Sequence, residues 1–201
     1  MARPKEFDHQ TAVLKAAALF GRQGFEATSV RDLLDELGLS ASSFYAAFGG
    51  KEQLFMAALA ANAEAERDQL RLALVGRGSF RDKYAALLAT LVDELATTGA
   101  SSSLTLRAAV ELAGAKPDVL RYLSHYLTGL IGMVEGLIWA AADRGDLAPR
   151  FGPEQLARYL LFGTFNLGFV AKVDNRREVL EGHAAILLGA LDDSPDPTPA
   201  A

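Results

Sequence analysis

Apolar residues recur every three or four positions through most of the chain and nowhere alternate as a strand requires, which predicts an all-α fold. Phe7-Asp8 opens the first helix, with Asp8 as N-cap and its charge well placed on the helix dipole. Val13, Leu14, Ala17 and Phe20 follow at helical spacing, and Gly21 and Gly24 stop the run. A second helix follows Thr28-Ser29, either of which can cap it, and Ser29 with Asp32 forms a capping-box variant. It carries Val30, Leu33, Leu34 and Leu37 inward and ends at Gly38. Only Gly38-Leu39 separates it from a third helix, capped by Ser40, with Ala41 to Phe48 as its body. Two short helices joined by a glycine-containing turn predict a helix-turn-helix.

Beyond Gly49-Gly50 a long helix runs from Lys51 to about Val75, far enough to leave the small module and reach a second one. Ser79 with Asp82 caps the next helix, which bears Tyr84, Leu87, Leu88, Leu91 and Leu95 and gives way to a small-residue loop, Thr97 to Ser103. Leu104 to Ala113 is a short helix, and Pro117 suits the first turn of a long one reaching Arg144. Gly152-Pro153 begins a helix to about Val173, and Arg176 to Leu191 forms the last. Ser194 to Ala201 carries three prolines in eight residues, the composition of a disordered tail. The resulting division is a three-helix module at 1–56, a helical domain at 57–193 and a tail at 194–201.

Composition narrows the chemistry. The chain of 201 residues has no cysteine, so disulfides, thiol catalysis and thiolate metal sites are excluded. Met1 to Glu6 is polar with no apolar core of a signal peptide, which makes the cytoplasm the expected address. The longest uncharged run, Tyr159 to Ala171, is 13 residues, short of the ~18 that a membrane span needs. No hydrolase elbow, zinc-helix or dinucleotide motif is present, and Gly76-Arg77-Gly78 lacks the third glycine, the Lys-Ser/Thr and the strand of a phosphate loop. An enzyme, a metal or a cofactor is therefore not expected. The net charge of −5 argues against indiscriminate polyanion binding. Residues 1–56 hold six cations (Arg3, Lys5, Lys15, Arg22, Arg31, Lys51) against seven anions (Glu6, Asp8, Glu26, Asp32, Asp35, Glu36, Glu52). Any DNA contact must come from placed groups.

Such groups are present. Thr28, Ser29, Ser40, Ser43, Tyr45 and Lys51 put hydroxyls, free amides, a phenol and an amine around two neighbouring helix N-termini, the kind of group that grips phosphates on either side of a major groove. Phe25, Leu33, Leu37, Leu39, Phe44 and Phe48 read as the small core fixing the angle between the helices. The run Gly24 to Leu34, then Gly38-Leu39-Ser40, Ser43-Phe44-Tyr45, Phe48 and Lys51 to Phe55, resembles the DNA-binding module of the TetR family of transcriptional regulators, of the TetR/AcrR type, over residues 8–56. The resemblance implies phosphate contacts for the polar positions above and base reading by Arg31, Ala41, Ser42 and Ser43. Arg31 is the strongest base reader, because a guanidinium can bond O6 and N7 of guanine together; its competing role is an ion pair with Asp32, Asp35 or Glu36. Arg3 or Lys5 can reach an adjacent minor groove.

The resemblance also implies a homodimer reading a palindromic operator in double-stranded DNA, with the last two helices pairing across a two-fold axis. On the helix from Pro153, Phe162, Phe165 and Phe169 share one face and Leu156, Leu160, Gly163 and Leu167 another; one serves the subunit core and the other a partner. The partner face is assigned to Leu156, Leu160, Gly163 and Leu167, with His183, Ile186 and Leu187 from the last helix. A small-molecule effector is expected among Tyr84, Arg107, Glu111, Tyr122, His125, Tyr126, Trp139, Phe165 and Asn166, since pockets combine apolar walls with a few polar groups. Arg107 and Glu111, one turn apart, read equally as an ion pair. The expected function is a repressor released by its effector; the alternative is a ligand-binding or interaction module of the same fold that has lost DNA binding.

Overall fold

The computed structural model describes residues 8–99 and 103–192. Phe7 and the expected tail, 194–201, lie outside them. Among the described residues there are nine helices and no strand: α1 (His9–Gln23), α2 (Val30–Leu37), α3 (Ala41–Phe48), α4 (Lys51–Leu74), α5 (Phe80–Thr98), α6 (Leu104–Leu112), α7 (Pro117–Asp143), α8 (Pro153–Val173) and α9 (Arg177–Gly189). None is long and apolar enough to cross a membrane. The chain gathers into two compact units, Met1–Glu66 with Ser102–His125, and Arg67–Ser101 with Tyr126–Ala201.

The first unit is built on phenylalanines. Phe20, Phe44 and Phe55 are fully buried with Leu33, Leu54 and Leu59. Phe55 receives the edges of Phe20 and Phe25, at centroid distances of 5.1 and 4.8 Å, a geometry that suits ring quadrupoles. Val30, Leu34, Leu37 and Leu39 pack against this core half-buried. Leu14 points outward, because α1 turns its Ala12-Val13-Ala16-Ala17-Phe20 side inward. The helix also runs through Gly21 to Gln23 before Gly24 ends it. Leu104, Ala108 and Leu112, four residues apart on α6, and Val119 and Leu123 on α7 are buried in the same core. Periodicity shows that such a stripe is buried but not which core receives it.

In the second unit α5, α8 and α9 pack together. Tyr84, Leu88, Val92 and Leu95 meet Leu156, Leu160, Leu167 and Ala171 of α8 and Leu180, Ala184 and Leu187 of α9. Each such leucine contributes about 1.5–3 kcal/mol by leaving water. This corrects the face assigned to a partner: Leu156, Leu160, Leu167 and Leu187 are buried in their own subunit. Gly163 belongs there too, since a methyl at its Cα would overlap Leu187 Cδ2 and lie 3.2 Å from Cδ1. The side left outward carries Tyr159, Phe162, Phe169 and Val173, joined on α9 by His183 and Ile186.

Tyr84 is the buried phenol of this unit. Its hydroxyl donates to the Leu160 carbonyl at 3.1 Å and lies 2.9 Å from Thr164 Oγ1. Burial pushes its pKa up to about 12 from 10.0, against the opposing pull of the Thr164 hydrogen bond. A raised phenol pKa stabilises the fold fully below the unfolded value and loses that stabilisation as pH climbs from about 10 to about 12. The stability difference between wild type and Tyr84→Phe, followed by denaturant unfolding, is expected to shrink across that window; a difference independent of pH there would contradict it.

Candidate nucleic-acid interface

The helix-turn-helix is held by its caps. Ser29 accepts from Asp32 N–H at 3.2 Å while Asp32 accepts from Ser29 N–H at 2.8 Å, a complete capping box that settles which residue starts α2. The Ser29 hydroxyl and amide hold the Asp32 carboxyl below its ordinary value, with the Arg31 charge adding to the pull. Gly38 ends α2 in the left-handed conformation, φ 65°, which only glycine adopts without strain, and its N–H returns to the Leu34 carbonyl. Ser40 then caps α3 by accepting from Ser43 N–H at 3.2 Å, and its Oγ lies 3.0 and 2.9 Å from the hydroxyls of Ser42 and Ser43.

Phe44 and Phe48 anchor α3 inward, so Ala41, Ser42, Ser43 and Tyr45 are exposed. Tyr45 rests edge-on against Phe44, 5.3 Å between centroids, which orients the ring without covering the hydroxyl. Arg31 is exposed on α2 and makes no salt bridge among the described residues; of the three acids that could pair with it, Asp32 is engaged with Ser29 and Glu36 with Arg22 at 3.5 Å. Lys51 opens α4 with its amine 4.3 Å from the centre of the Phe25 ring, a cation–π contact that steers a long flexible side chain.

Thr28 is a correction. Its hydroxyl is fully buried and donates to the Gly24 carbonyl at 2.6 Å, so it knits the turn before α2 and offers nothing to a phosphate. Arg3 and Lys5 lie outside the described residues.

The nine candidates for an effector pocket are divided between the two units. Arg107, Glu111, Tyr122 and His125 belong to the first unit and Tyr84, Tyr126, Trp139, Phe165 and Asn166 to the second. His125 and Asn166 are exposed, Trp139 is 58% exposed, and Arg107 pairs with Glu111 at 2.7 Å while reaching α1 carbonyls. Sequence reasoning missed a polar cluster in the first unit: Asn62 donates to Glu66 at 2.7 Å, and the buried Thr105 hydroxyl donates to the other Glu66 oxygen. Only the four-residue spacing of Asn62 and Glu66 hinted at it. In the second unit a groove of about 550 Å³ has Leu74, Phe80 and Leu137 among its lining, with Arg77, Lys83 and Arg144 also on its wall.

Residues 13–58 match the family model described as bacterial regulatory proteins, tetR family. Over 194 residues, 96% of this chain and all of the relative, the chain is 29% identical to an uncharacterized HTH-type transcriptional regulator, YezE, of Bacillus subtilis. Over 57 residues, 27% of that relative, it is 49% identical to the HTH-type transcriptional repressor ComR of Escherichia coli. A cysteine mutant of the TetR family transcriptional regulator CifR, solved with 26-bp double-strand operator DNA, is 30% identical, covers 95% of this chain and all of that one, and superimposes with a TM-score of 0.80.

The chain belongs to the TetR family. It is a helix-turn-helix transcriptional regulator, not a member of an enzyme class.

Proposed function

We propose that this protein is a homodimeric, cytoplasmic repressor that binds a palindromic operator through α2 and α3 and is released by a small-molecule effector. The observation that carries the reading is the exposed, doubly capped pair α2–α3, with a guanidinium that makes no salt bridge among the described residues on one helix and a row of small polar and methyl side chains on the next. Residues 1–56 form the reading head, with Ser40, Ser43, Tyr45 and Lys51 on phosphates, Arg31, Ala41, Ser42 and Ser43 facing bases, and Ser29 holding the start of α2. Residues 57–193 supply effector binding and dimerisation. The partner face is the outward side of α8 and α9, from Tyr159 to Val173 with His183 and Ile186. The groove beside the start of α5 falls within the ~300–1,000 Å³ of ordinary ligand sites, and its mixed lining, Leu74, Phe80 and Leu137 with Arg77, Lys83 and an Arg144 paired to Asp146, suits an amphipathic ligand. CifR, solved with operator DNA, and ComR, named a repressor, support the first half of this reading.

The test is operator selection from a random library, followed by binding of two variants. Arg31→Ala is expected to lose about 1–3 kcal/mol on the selected site and to relax preference at one base pair per half-site. Lys51→Ala is expected to weaken selected and random DNA alike and to lower the salt slope by about one phosphate per subunit. Equal losses for Arg31→Ala on both DNAs would demote it to a backbone contact, and failure to select any site would favour the module that has lost DNA binding.

A further inference from the structure

The C-terminal end of α1 leaves carbonyls that its own helix cannot satisfy, and four carbonyls at this end have specific partners. Phe20 O receives Gly24 N–H at 2.8 Å, and Gly24 O receives the Thr28 hydroxyl. Of the three between them, Gly21 O and Arg22 O both receive Arg107 Nη1 of α6, at 2.9 and 3.0 Å. Arg107 Nε is meanwhile fixed by Glu111 at 2.7 Å. Glu111 in turn reaches the turn itself: a Cβ placed on Gly24 would lie 2.6 Å from its Oε2, so this carboxylate stands where any side chain at 24 would go. Just past α6, Lys116 holds its amine 4.5 Å from the centre of the Phe25 ring and 3.9 Å from Glu52 of α4.

We infer that the corner from α6 to the start of α7 is a working part of the reading head, in which Arg107, locked by Glu111, positions the Gly21–Thr28 turn and through it α2 and Arg31. The turn is short, and Ser29 follows it directly, so where the turn sits decides where α2 starts. Arg107 is a positioning residue that acts through the backbone of α1 and touches no DNA. A residue 76 positions beyond Arg31 in sequence thereby sets how well Arg31 reads. The idea rests on operator binding by α2 and α3.

The experiment uses the full-length chain and three readouts: amide hydrogen exchange, operator affinity with its salt dependence, and the unfolding midpoint. Arg107→Ala is expected to speed exchange at residues 24–28 and to weaken operator binding, each about tenfold, the scale of a lost hydrogen bond from a charged group. Exchange in α5 and α8 and the salt slope are expected to stay as they were. Arg107→Lys, which can still donate to one carbonyl, is expected to recover part of both losses. Unchanged exchange at 24–28 would overturn the clamp. A salt slope reduced by one phosphate would make Arg107 a DNA contact instead. A lowered midpoint with operator affinity intact, measured well below unfolding, would reduce it to general support of the fold. If the wild-type protein selects no operator, the parent reading and the positioning role fall together, while the exchange result still decides whether the clamp holds the turn.

Discussion

Phe162→Glu is expected to turn the proposed dimer into a folded monomer and to abolish tight operator binding in the same step. Phe162 is 49% exposed in the single chain and shares its helical side with Tyr159, Phe169 and Val173, the last 91% exposed; Ile186 on α9 is 67% exposed. Two of them, Tyr159 and Ile186, line a groove of about 540 Å³ together with Phe151, Gln155, Leu156 and Ala190. An apolar surface of this kind is what a partner covers. In a two-fold interface every substitution occurs twice, facing the same patch on the other subunit. Taking one unpaired carboxylate out of water costs roughly 3 kcal/mol even after relaxation, so two copies weaken association by about four orders of magnitude. Ile186→Glu is expected to do the same. Operator affinity follows because one half-site holds too few contacts, and paired recognition helices about one turn of DNA apart supply the rest. Sedimentation alongside far-UV circular dichroism is the check. A variant that stays dimeric, or a helical monomer that keeps tight palindrome binding, would remove this face from the mechanism.

The same comparison shows how much the sequence said. The helices were legible because caps and periodicity are local: Asp8, Ser29, Ser40 and Ser79 each cap the helix expected of them. The reading head was legible because its core spacing is fixed by short turns. What failed was the choice of inner face on α8 and the surface reading of Thr28. On α8 both faces are apolar, and the sequence alone could not rank leucine against phenylalanine as the inner one. Leucines at Leu156, Leu160 and Leu167 fill a tight three-helix core, while the bulkier rings are left outward. Thr28 failed for a related reason: a threonine beside a cap reads as a surface hydroxyl until the turn closes over it. Where a polar side chain on α6 turns was not legible either, because long-range packing decides it: Arg107 goes to the α1 carbonyls.

Gly163 separates assembly from folding, and its substitution is the strongest test of which α8 face is inner. An alanine methyl at this position would overlap Leu187 Cδ2 and crowd Leu187 Cγ at 3.2 Å. Leu187 is itself buried, so it can yield only by pushing on its own neighbours. Overpacking of this kind costs about 1–3 kcal/mol, which for a domain of this size lowers the unfolding midpoint by roughly 2–4 °C for each kcal/mol. Relief of helical glycine's backbone entropy returns at most about 1 kcal/mol. Leu187→Ala alone leaves a cavity and is expected to cost about 2–5 kcal/mol. The two changes answer each other: in Gly163→Ala with Leu187→Ala the new methyl has room and fills part of the space, so the double variant is expected to be more stable than the sum of the single losses, by about 0.5–3 kcal/mol. Denaturant unfolding of the four proteins closes the cycle. Additive losses would mean that the two residues do not touch. Gly163→Ala that dissociates the dimer without lowering monomer stability would put the leucine face of α8 at the partner after all.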